Sequence, residues 1–209
     1  MYKYITFVLL GVNILLLAVI YFINNGYRKE RIILTEKVDE LSYENMLLQD
    51  NIILSQQGDC QLDQKMLLCT KSGDSIRLSD IERKEFTLVL RYSTQCCSIC
   101  VESILRKMIC FKQAYPDIDI LLLTTYRTDI DKEYLRQICR IFPKVYNVSY
   151  LEIPLEKEYV PYLFILDSDM RVINTFIPVR ELPELTNRYF KKVVELCLSL
   201  IHISEPTRH

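Results

Sequence analysis

The strongest constraint on this chain is an uninterrupted apolar stretch near its N-terminus. Residues 4–23, YITFVLLGVNILLLAVIYFI, carry no charge, and Asn13 is the one clearly polar residue among them. A helix of that length spans roughly 30 Å, the thickness of the hydrocarbon core of a bilayer. Residues 24–26 (NNG) follow without the small-residue pattern of a cleavage site, so the stretch is typical of an uncleaved anchor. We therefore predict a single-pass transmembrane anchor over residues 1–26.

The charges beside this stretch bear on its orientation. Lys3 precedes it, whereas Arg28, Lys29 and Arg31 follow it. Positive residues favour the cytoplasmic side of a membrane, so this bias taken alone predicts that the rest of the chain is cytoplasmic.

Residues 27–57 form a predicted helical stalk. Position a of a heptad frame is filled by Val38, Asn45 and Ile52, and position d by Leu34, Leu41 and Leu48. β-branched residues at a, leucine at d and a single asparagine at a favour a parallel two-stranded coiled coil, hence a homodimer. Other apolar residues fall outside the frame: Ile32, Ile33, Met46, Leu47, Ile53 and Leu54. The alternative is a helix that packs against its own domain or the membrane.

Composition excludes several classes of function. The formal net charge of −1 argues against a nucleic-acid-binding protein, which is normally basic. Four glycines are present and none lies beyond Gly73, so the glycine-rich loops that bind nucleotide phosphates are excluded. Two histidines, His202 and His209, stand at the extreme C-terminus, which disfavours histidine-based catalysis and metal sites. Eight cysteines indicate sulfur chemistry. We expect neither a cofactor nor a metal.

The C-terminal tail does not resemble natural protein sequence. Residues 198–208, LSLIHISEPTR, match the translation of a transposase adapter used in preparing DNA for sequencing. We therefore expect residues 198–209 to be an artefact, which removes both histidines and leaves a domain over residues 58–197.

Beyond the stalk, the apolar pattern alternates between short strands and longer helices. The predicted strands are residues 85–92, 117–125, 162–166 and 171–177, and the predicted helices are residues 98–115, 130–142 and 182–196. The run DIDILLLTT is almost entirely apolar, as expected of a central parallel strand buried on both faces. The order β-α-β-α-β-β-α predicts an α/β fold in which a mixed sheet is flanked by helices.

The motif that carries chemistry is the CxxC formed by Cys97 and Cys100. It follows a predicted strand and opens a predicted helix. Unpaired N–H groups and the dipole at a helix N-terminus stabilise a thiolate on the first cysteine. The second cysteine, one turn later, is placed to form a disulfide with the first. This setting separates a redox motif from half of a zinc site.

These features resemble the thioredoxin superfamily, most closely the membrane-anchored TlpA/ResA-like thiol–disulfide oxidoreductases. Residues 72–81 are similar to the hairpin before the first core strand, and residues 88–100 to the strand and its CxxC. Residues 159–162 are similar to the segment whose cis-proline faces the cysteines, and residues 164–169 to the next hairpin. The resemblance covers residues 65–196 and implies a thioredoxin-like fold.

The resemblance also implies roles for individual residues. Cys97 would be the attacking thiol, Cys100 the resolving thiol, and Pro161, after a cis bond, would shape a groove for an extended substrate segment. Cys96, Thr94 and Val160 would be accessory residues. The partners would be a protein thiol or disulfide substrate and a redox partner. The domain would face the periplasm from a bacterial inner membrane, against the charge bias.

The sequence departs from the family pattern at several positions. Cys96 stands where the family usually has tryptophan, Ser98 and Ile99 replace the usual glycine or glutamate and proline, and Met170 replaces the hairpin glycine. These changes leave the direction of electron flow open.

Three alternatives remain at this motif. Cys96 and Cys100 form a CxxxC as in copper chaperones, although those also need a histidine. Thr94 and Cys97 form the TxxC of peroxiredoxins, although Leu90 stands where their proline should be. A thioredoxin-like module that binds a partner without turnover is the third. Among the other cysteines, Cys60 and Cys69 are candidates for a disulfide.

Overall fold

The computed structural model describes residues 2–56, 60–125 and 132–199. Within these ranges the helices are α1 (Tyr2–Gln56), α2 (Ser98–Ala114), α3 (Lys132–Ile141) and α4 (Pro183–Ser199). The predicted end of the stalk at residue 57, the predicted first residues of α3 and the tail from residue 200 onward, with both histidines, lie outside the described residues.

The strands of the described residues form one mixed sheet. They are β1 (Leu67–Cys69), β2 (Ser75–Arg77), β3 (Thr87–Tyr92), β4 (Asp119–Thr124), β5 (Val145–Asn147), β6 (Tyr162–Leu166) and β7 (Val172–Phe176). Their order in the sheet is β2-β1-β5-β4-β3-β6-β7. β3, β4 and β5 are parallel, whereas β6 is antiparallel to β3 and β7 is antiparallel to β6. β7 therefore runs in the same direction as β3, so both strands end at the same edge of the sheet.

The central strand β3 is buried on both faces. Its alternate residues Leu88, Leu90 and Tyr92 belong to a core formed with α2, α3 and α4. Val89 points to the opposite face and belongs to a second core. The helices thus cover one face of the sheet, and their apolar residues recur at helical spacing, as in Ile104, Leu105 and Met108 of α2.

The second face is covered mostly by irregular structure and by the last turns of α1. The β1–β2 hairpin contributes Leu68, and the 3₁₀ turn Pro154–Glu158 contributes Leu155. Leu54 of α1 packs against the same core. The Asn51 side chain donates a hydrogen bond to the carbonyl of Ile177, just after β7. Residues 49–56 therefore form part of the domain.

The N-terminal part of α1 carries the apolar stretch. The side chains from Leu9 to Ile23 are all exposed in the monomer. By length and composition, α1 is the one helix of the described residues that is long and apolar enough to cross a membrane.

A buried ion pair lies beneath the end of β3. The Arg91 side chain is 1% exposed and the Glu156 side chain 7%. Nε and Nη2 of Arg91 donate to the two carboxylate oxygens of Glu156, each over 2.7 Å. Tyr162 donates its hydroxyl to Glu156 Oε1 over 2.7 Å, and Arg91 Nη1 donates to the carbonyl of Val148 and to Thr125 Oγ1. Burial opposes the charge on Arg91, but Glu156 outweighs it and raises the pKa of the guanidinium.

Most predicted elements are found within two or three residues of their predicted bounds. β6 has the predicted bounds, and the predicted order of strands and helices from β3 to α4 is confirmed, with β5 added. β5 was not predicted because three residues are too few to show a period.

The suggested Cys60–Cys69 disulfide is wrong. The carbonyl of Cys60 accepts a hydrogen bond from Val172 of β7, whereas Cys69 pairs with Asn147 of β5. Three strands lie between β5 and β7, which places these pairings about 19 Å apart across the sheet. A disulfide needs Cα atoms within about 7 Å. None of the eight cysteines, which all lie within the described residues, forms a disulfide.

Candidate functional site

Cys97 and Cys100 lie where the central strand passes into the first helix of the domain. β3 ends at Tyr92, and α2 begins at Ser98 with Cys97 as its N-cap residue. The first N–H groups of a helix have no intrahelical partner, and the positive end of the helix dipole lies there. This position favours a negative charge on the Cys97 sulfur.

The surroundings of Cys97 lower the pKa of its thiol. The largest cause is a hydrogen bond with the Cys100 side chain, and the backbone N–H groups of Cys100 and Ile99 act in the same direction. Slight desolvation opposes the effect, and the positive charge of Arg180 adds to it. Cys97 is exposed, so an incoming disulfide can reach it.

Cys100 behaves in the opposite way. The pKa of its thiol is raised to about 11, and burial is the largest cause. The hydrogen bond to Cys97 and the negative charge of Glu181 also raise it. The surroundings therefore favour the thiolate on the exposed Cys97 and disfavour it on the half-buried Cys100.

Alkylation of the reduced native chain at increasing pH is expected to label Cys97 first and Cys100 last. Iodoacetamide reacts with the thiolate, so the lowered pKa moves the Cys97 curve to lower pH than in the urea-unfolded chain. The pKa of about 11 moves the Cys100 curve to higher pH. Tandem mass spectrometry of the peptide that contains both cysteines assigns the label. Native and unfolded curves that coincide would contradict the predicted asymmetry.

Pro161 lies at the same edge of the sheet as the cysteines. It immediately precedes β6, whose first residue, Tyr162, is paired with Arg91 near the end of β3. The predicted cis bond before Pro161 is wrong, because no peptide bond in the described parts of the chain is cis. The chain instead turns at Tyr159, which has a left-handed φ of 52°. Trans is also the lower-energy isomer before proline.

Two of the accessory residues, Val160 and Thr94, differ in burial. Val160 is half-buried and packs against the second core, whereas Thr94 is exposed in the loop before α2. Neither side chain is brought to the Cys97 sulfur by a recorded contact, so their roles and that of Pro161 remain predictions.

The elements from β3 to α4, with the cysteine pair at the start of α2, have the order and directions that the family resemblance implied. The fold is thioredoxin-like. This assignment rests on strand order, strand direction and the position of the cysteines.

No protein-family model matches the sequence, and no curated protein matches it. One similar solved structure is the C-terminal domain of a protein assigned as a thiol-disulfide oxidoreductase from Bacteroides thetaiotaomicron, with 14% identity and a TM-score of 0.44 over 65% of this chain and 99% of that one.

Two further solved structures match a comparable share of this chain. The exposed lipoprotein thioredoxin Etrx1 of Streptococcus pneumoniae has 19% identity and a TM-score of 0.36 over 61% of this chain and 98% of that one. Copper-bound ScoI of Arabidopsis thaliana has 12% identity and a TM-score of 0.41 over 62% and 96%. TM-scores below 0.5 carry no argument about activity.

The Cys96 side chain contacts Ser93 of the preceding loop. Its sulfur accepts a hydrogen bond from the backbone N–H of Ser93 over 3.3 Å and lies 3.6 Å from the Ser93 hydroxyl. It lines a cavity of about 530 Å³ between α2, α3 and the ends of β3 and β4, together with Ser98 and Thr125. The structure therefore pairs Cys100 with Cys97 and not with Cys96.

Sequence reasoning missed the charges opposite the cysteines. Arg180 and Glu181 lie in the loop after β7, and both influence the sulfurs. A signal was available, because the implied fold places the ends of β3 and β7 at one edge. The charged dipeptide after the last strand could have been assigned to the site on that ground.

Proposed function

We propose that this protein is a membrane-tethered thiol–disulfide oxidoreductase that acts on protein substrates through Cys97 and Cys100. The observation that carries the proposal is the placement of two cysteines one turn apart at the N-terminus of the helix that follows the central strand. The pKa shifts of the two thiols, down for Cys97 and up for Cys100, support it. A thiol that attacks first must be ionised and accessible, and one that acts second must not compete with it.

The chemistry balances with a protein disulfide as the oxidant. The Cys97 thiolate attacks one substrate sulfur, so the substrate disulfide breaks and a mixed disulfide forms. The departing substrate thiolate takes up a proton. Cys100 then loses its proton and attacks the Cys97 sulfur, which releases the second substrate thiolate and leaves the Cys97–Cys100 disulfide. A dithiol protein returns the two electrons, and the same steps in reverse would oxidise a substrate.

The proposal first requires that Cys97 and Cys100 can form a disulfide. Mild oxidation of the reduced chain, followed by mass spectrometry, tests this requirement. The expected product is an internal Cys97–Cys100 disulfide that dithiothreitol reverses. The exposed Cys69 and Cys110 serve as internal controls and are expected to stay unlinked to these two cysteines. A chain that binds partners but never forms this bridge would instead be a thioredoxin-like binding module without turnover.

The anchor defines the cellular setting that we propose. Residues 1–26 would span a bacterial inner membrane, and residues 27–57 would form the stalk, whose last turns from residue 49 onward pack against the domain. Residues 58–197 would form the rest of the catalytic domain on the periplasmic side. Residues 198–209 would not belong to the natural protein. A disulfide-exchange domain suits an oxidising compartment. An alkaline phosphatase fusion after Cys197 is expected to be active, and activity from only a cytoplasmic reporter would reverse the orientation.

A homodimer through the stalk is the second part of the proposal. Leu34, Val38 and Leu41 are all more than half exposed in the monomer, which leaves the heptad stripe available to a second copy. The change Leu41→Lys is expected to convert a dimer into a monomer in sedimentation of the detergent-solubilised chain. The control Met46→Lys adds the same charge at an exposed position outside the a and d positions. A wild-type monomer, or equal loss in both variants, would contradict the stalk dimer.

A further inference from the structure

The loop that follows β7 begins at the same edge of the sheet as the cysteine pair because of the directions of the strands. β7 is parallel to β3 through their common neighbour β6. Phe176 at the end of β7 pairs with Leu163, which in turn pairs with Leu90. The chain therefore leaves β7 at the same edge of the sheet from which β3 leads into Cys97. Residues 177–182 then cross this edge before α4 begins.

This loop is held at both ends. Asn51 donates its side-chain hydrogen bond to the Ile177 carbonyl at the start of the loop. At the other end, Lys107 of α2 donates to the carbonyl of Pro183 over 3.1 Å. Between them the N–H of Leu182 donates to the Val179 carbonyl over 3.2 Å and closes a turn. The two residues inside this turn are therefore presented in a defined place and not on a free loop.

Those two residues carry opposite charges. Arg180 Nε lies 3.3 Å from Glu181 Oε1, and the side chains are 54% and 47% exposed. An exposed pair of this kind contributes little to folding stability. Arg180 favours the thiolate form of both Cys97 and Cys100, whereas Glu181 disfavours it on Cys100. Burial acts more strongly than either charge on Cys100, and the amides of α2 act with Arg180 on Cys97.

We propose that Arg180 and Glu181 are positioning residues of the dithiol: Arg180 holds Cys97 ready as the attacking thiolate, and Glu181 keeps the proton on Cys100 until the mixed disulfide has formed. The proposal rests on the function proposed above. It assigns to a loop far from the cysteines in sequence the choice of which cysteine attacks and which keeps its proton. Neither residue enters a covalent bond, since both act through the field that they impose on the two sulfurs.

The test is the pH profile of iodoacetamide labelling in the full chain, reduced and solubilised in detergent. The change Arg180→Gln is expected to move the Cys97 curve to higher pH and to lower labelling at pH 7 about two- to threefold. Arg180→Lys keeps the charge and is expected to restore most of the wild-type rate. Glu181→Gln is expected to move the Cys100 curve to lower pH. The effect of Arg180→Gln should shrink in 1 M salt, where charges are screened within about 3 Å.

Matched controls separate a local field from net charge. Arg188→Gln and Glu195→Gln make the same charge changes at exposed positions on α4, and both are expected to leave the two curves in place. Equal shifts in Arg180→Gln and Arg188→Gln, or no shift in either, would overturn the proposal. Labelling needs no turnover, so it decides this proposal even if the wild-type chain fails to exchange disulfides, a result that would reject only the proposed function.

Discussion

The change Cys97→Ser is expected to reduce catalysed reduction of a model protein disulfide to the uncatalysed rate, a loss of about 100-fold or more. Serine keeps the size of the side chain and its place at the N-cap of α2. A serine hydroxyl, however, does not ionise near neutral pH and cannot form the mixed disulfide on which the reaction depends. Because Cys97 is exposed and caps a helix that serine also caps well, folding should be preserved.

Two companion variants give this experiment its controls. Cys110→Ser removes an exposed thiol from the same helix and is expected to keep wild-type activity. Cys100→Ser is expected to accumulate the mixed disulfide on Cys97, visible as a covalent complex that a reductant dissolves. Wild-type activity in the Cys97→Ser variant would reject the enzymatic function and favour the binding module.

The change Arg91→Met is expected to lower the free energy of unfolding by about 3–5 kcal/mol. Methionine fills much of the space of the side chain but leaves the Glu156 carboxylate buried with only the Tyr162 hydroxyl as a recorded side-chain partner. It also removes one of the two side-chain donors to the carbonyl of Val148, which keeps the hydrogen bond from the Thr125 hydroxyl, and the Arg91 donor to Thr125 Oγ1. Urea denaturation followed by circular dichroism measures the loss. The double change Arg91→Met with Glu156→Leu should recover part of it, since no lone charge is then buried.

The exposed pair of Arg106 and Glu102 supplies a matched control for that experiment. Its two atoms are 2.6 Å apart, a distance close to that of the buried pair, but the side chains are 76% and 63% exposed. Arg106→Met is therefore expected to cost less than about 1 kcal/mol. Similar losses in the free energy of unfolding for Arg91→Met and Arg106→Met would mean that burial does not determine how much the Arg91–Glu156 pair contributes to stability.

The sequence predicted the fold well because its apolar periods are long and the motif has a distinctive context. β3 and β4 are nearly continuous apolar runs, and α2 repeats its apolar residues over several turns, so local patterns and tertiary environment agree. The placement of Cys97 at a helix N-terminus followed from the same patterns.

The parts that could not be predicted depend on contacts between distant segments. Arg91 stands in an apolar strand with nothing nearby to mark its partner, because Glu156 arrives from a 3₁₀ turn 65 positions later. The influence of Arg180 on Cys97 likewise needs the direction of β7. The turn at Tyr159 could not be predicted either, because a left-handed residue other than glycine gives no clear signal in the sequence.

The contacts of residues 49–56 also decide where the molecule can be cut for crystallisation or assays in solution. A fragment that starts at Cys60 would lose Leu54 from the second core and the side chain of Asn51 from the Ile177 carbonyl. It would expose an apolar patch that invites aggregation and loosen the segment that carries Arg180. A soluble fragment that behaves like the intact protein should therefore begin at or before Gln49 and keep the last two turns of α1.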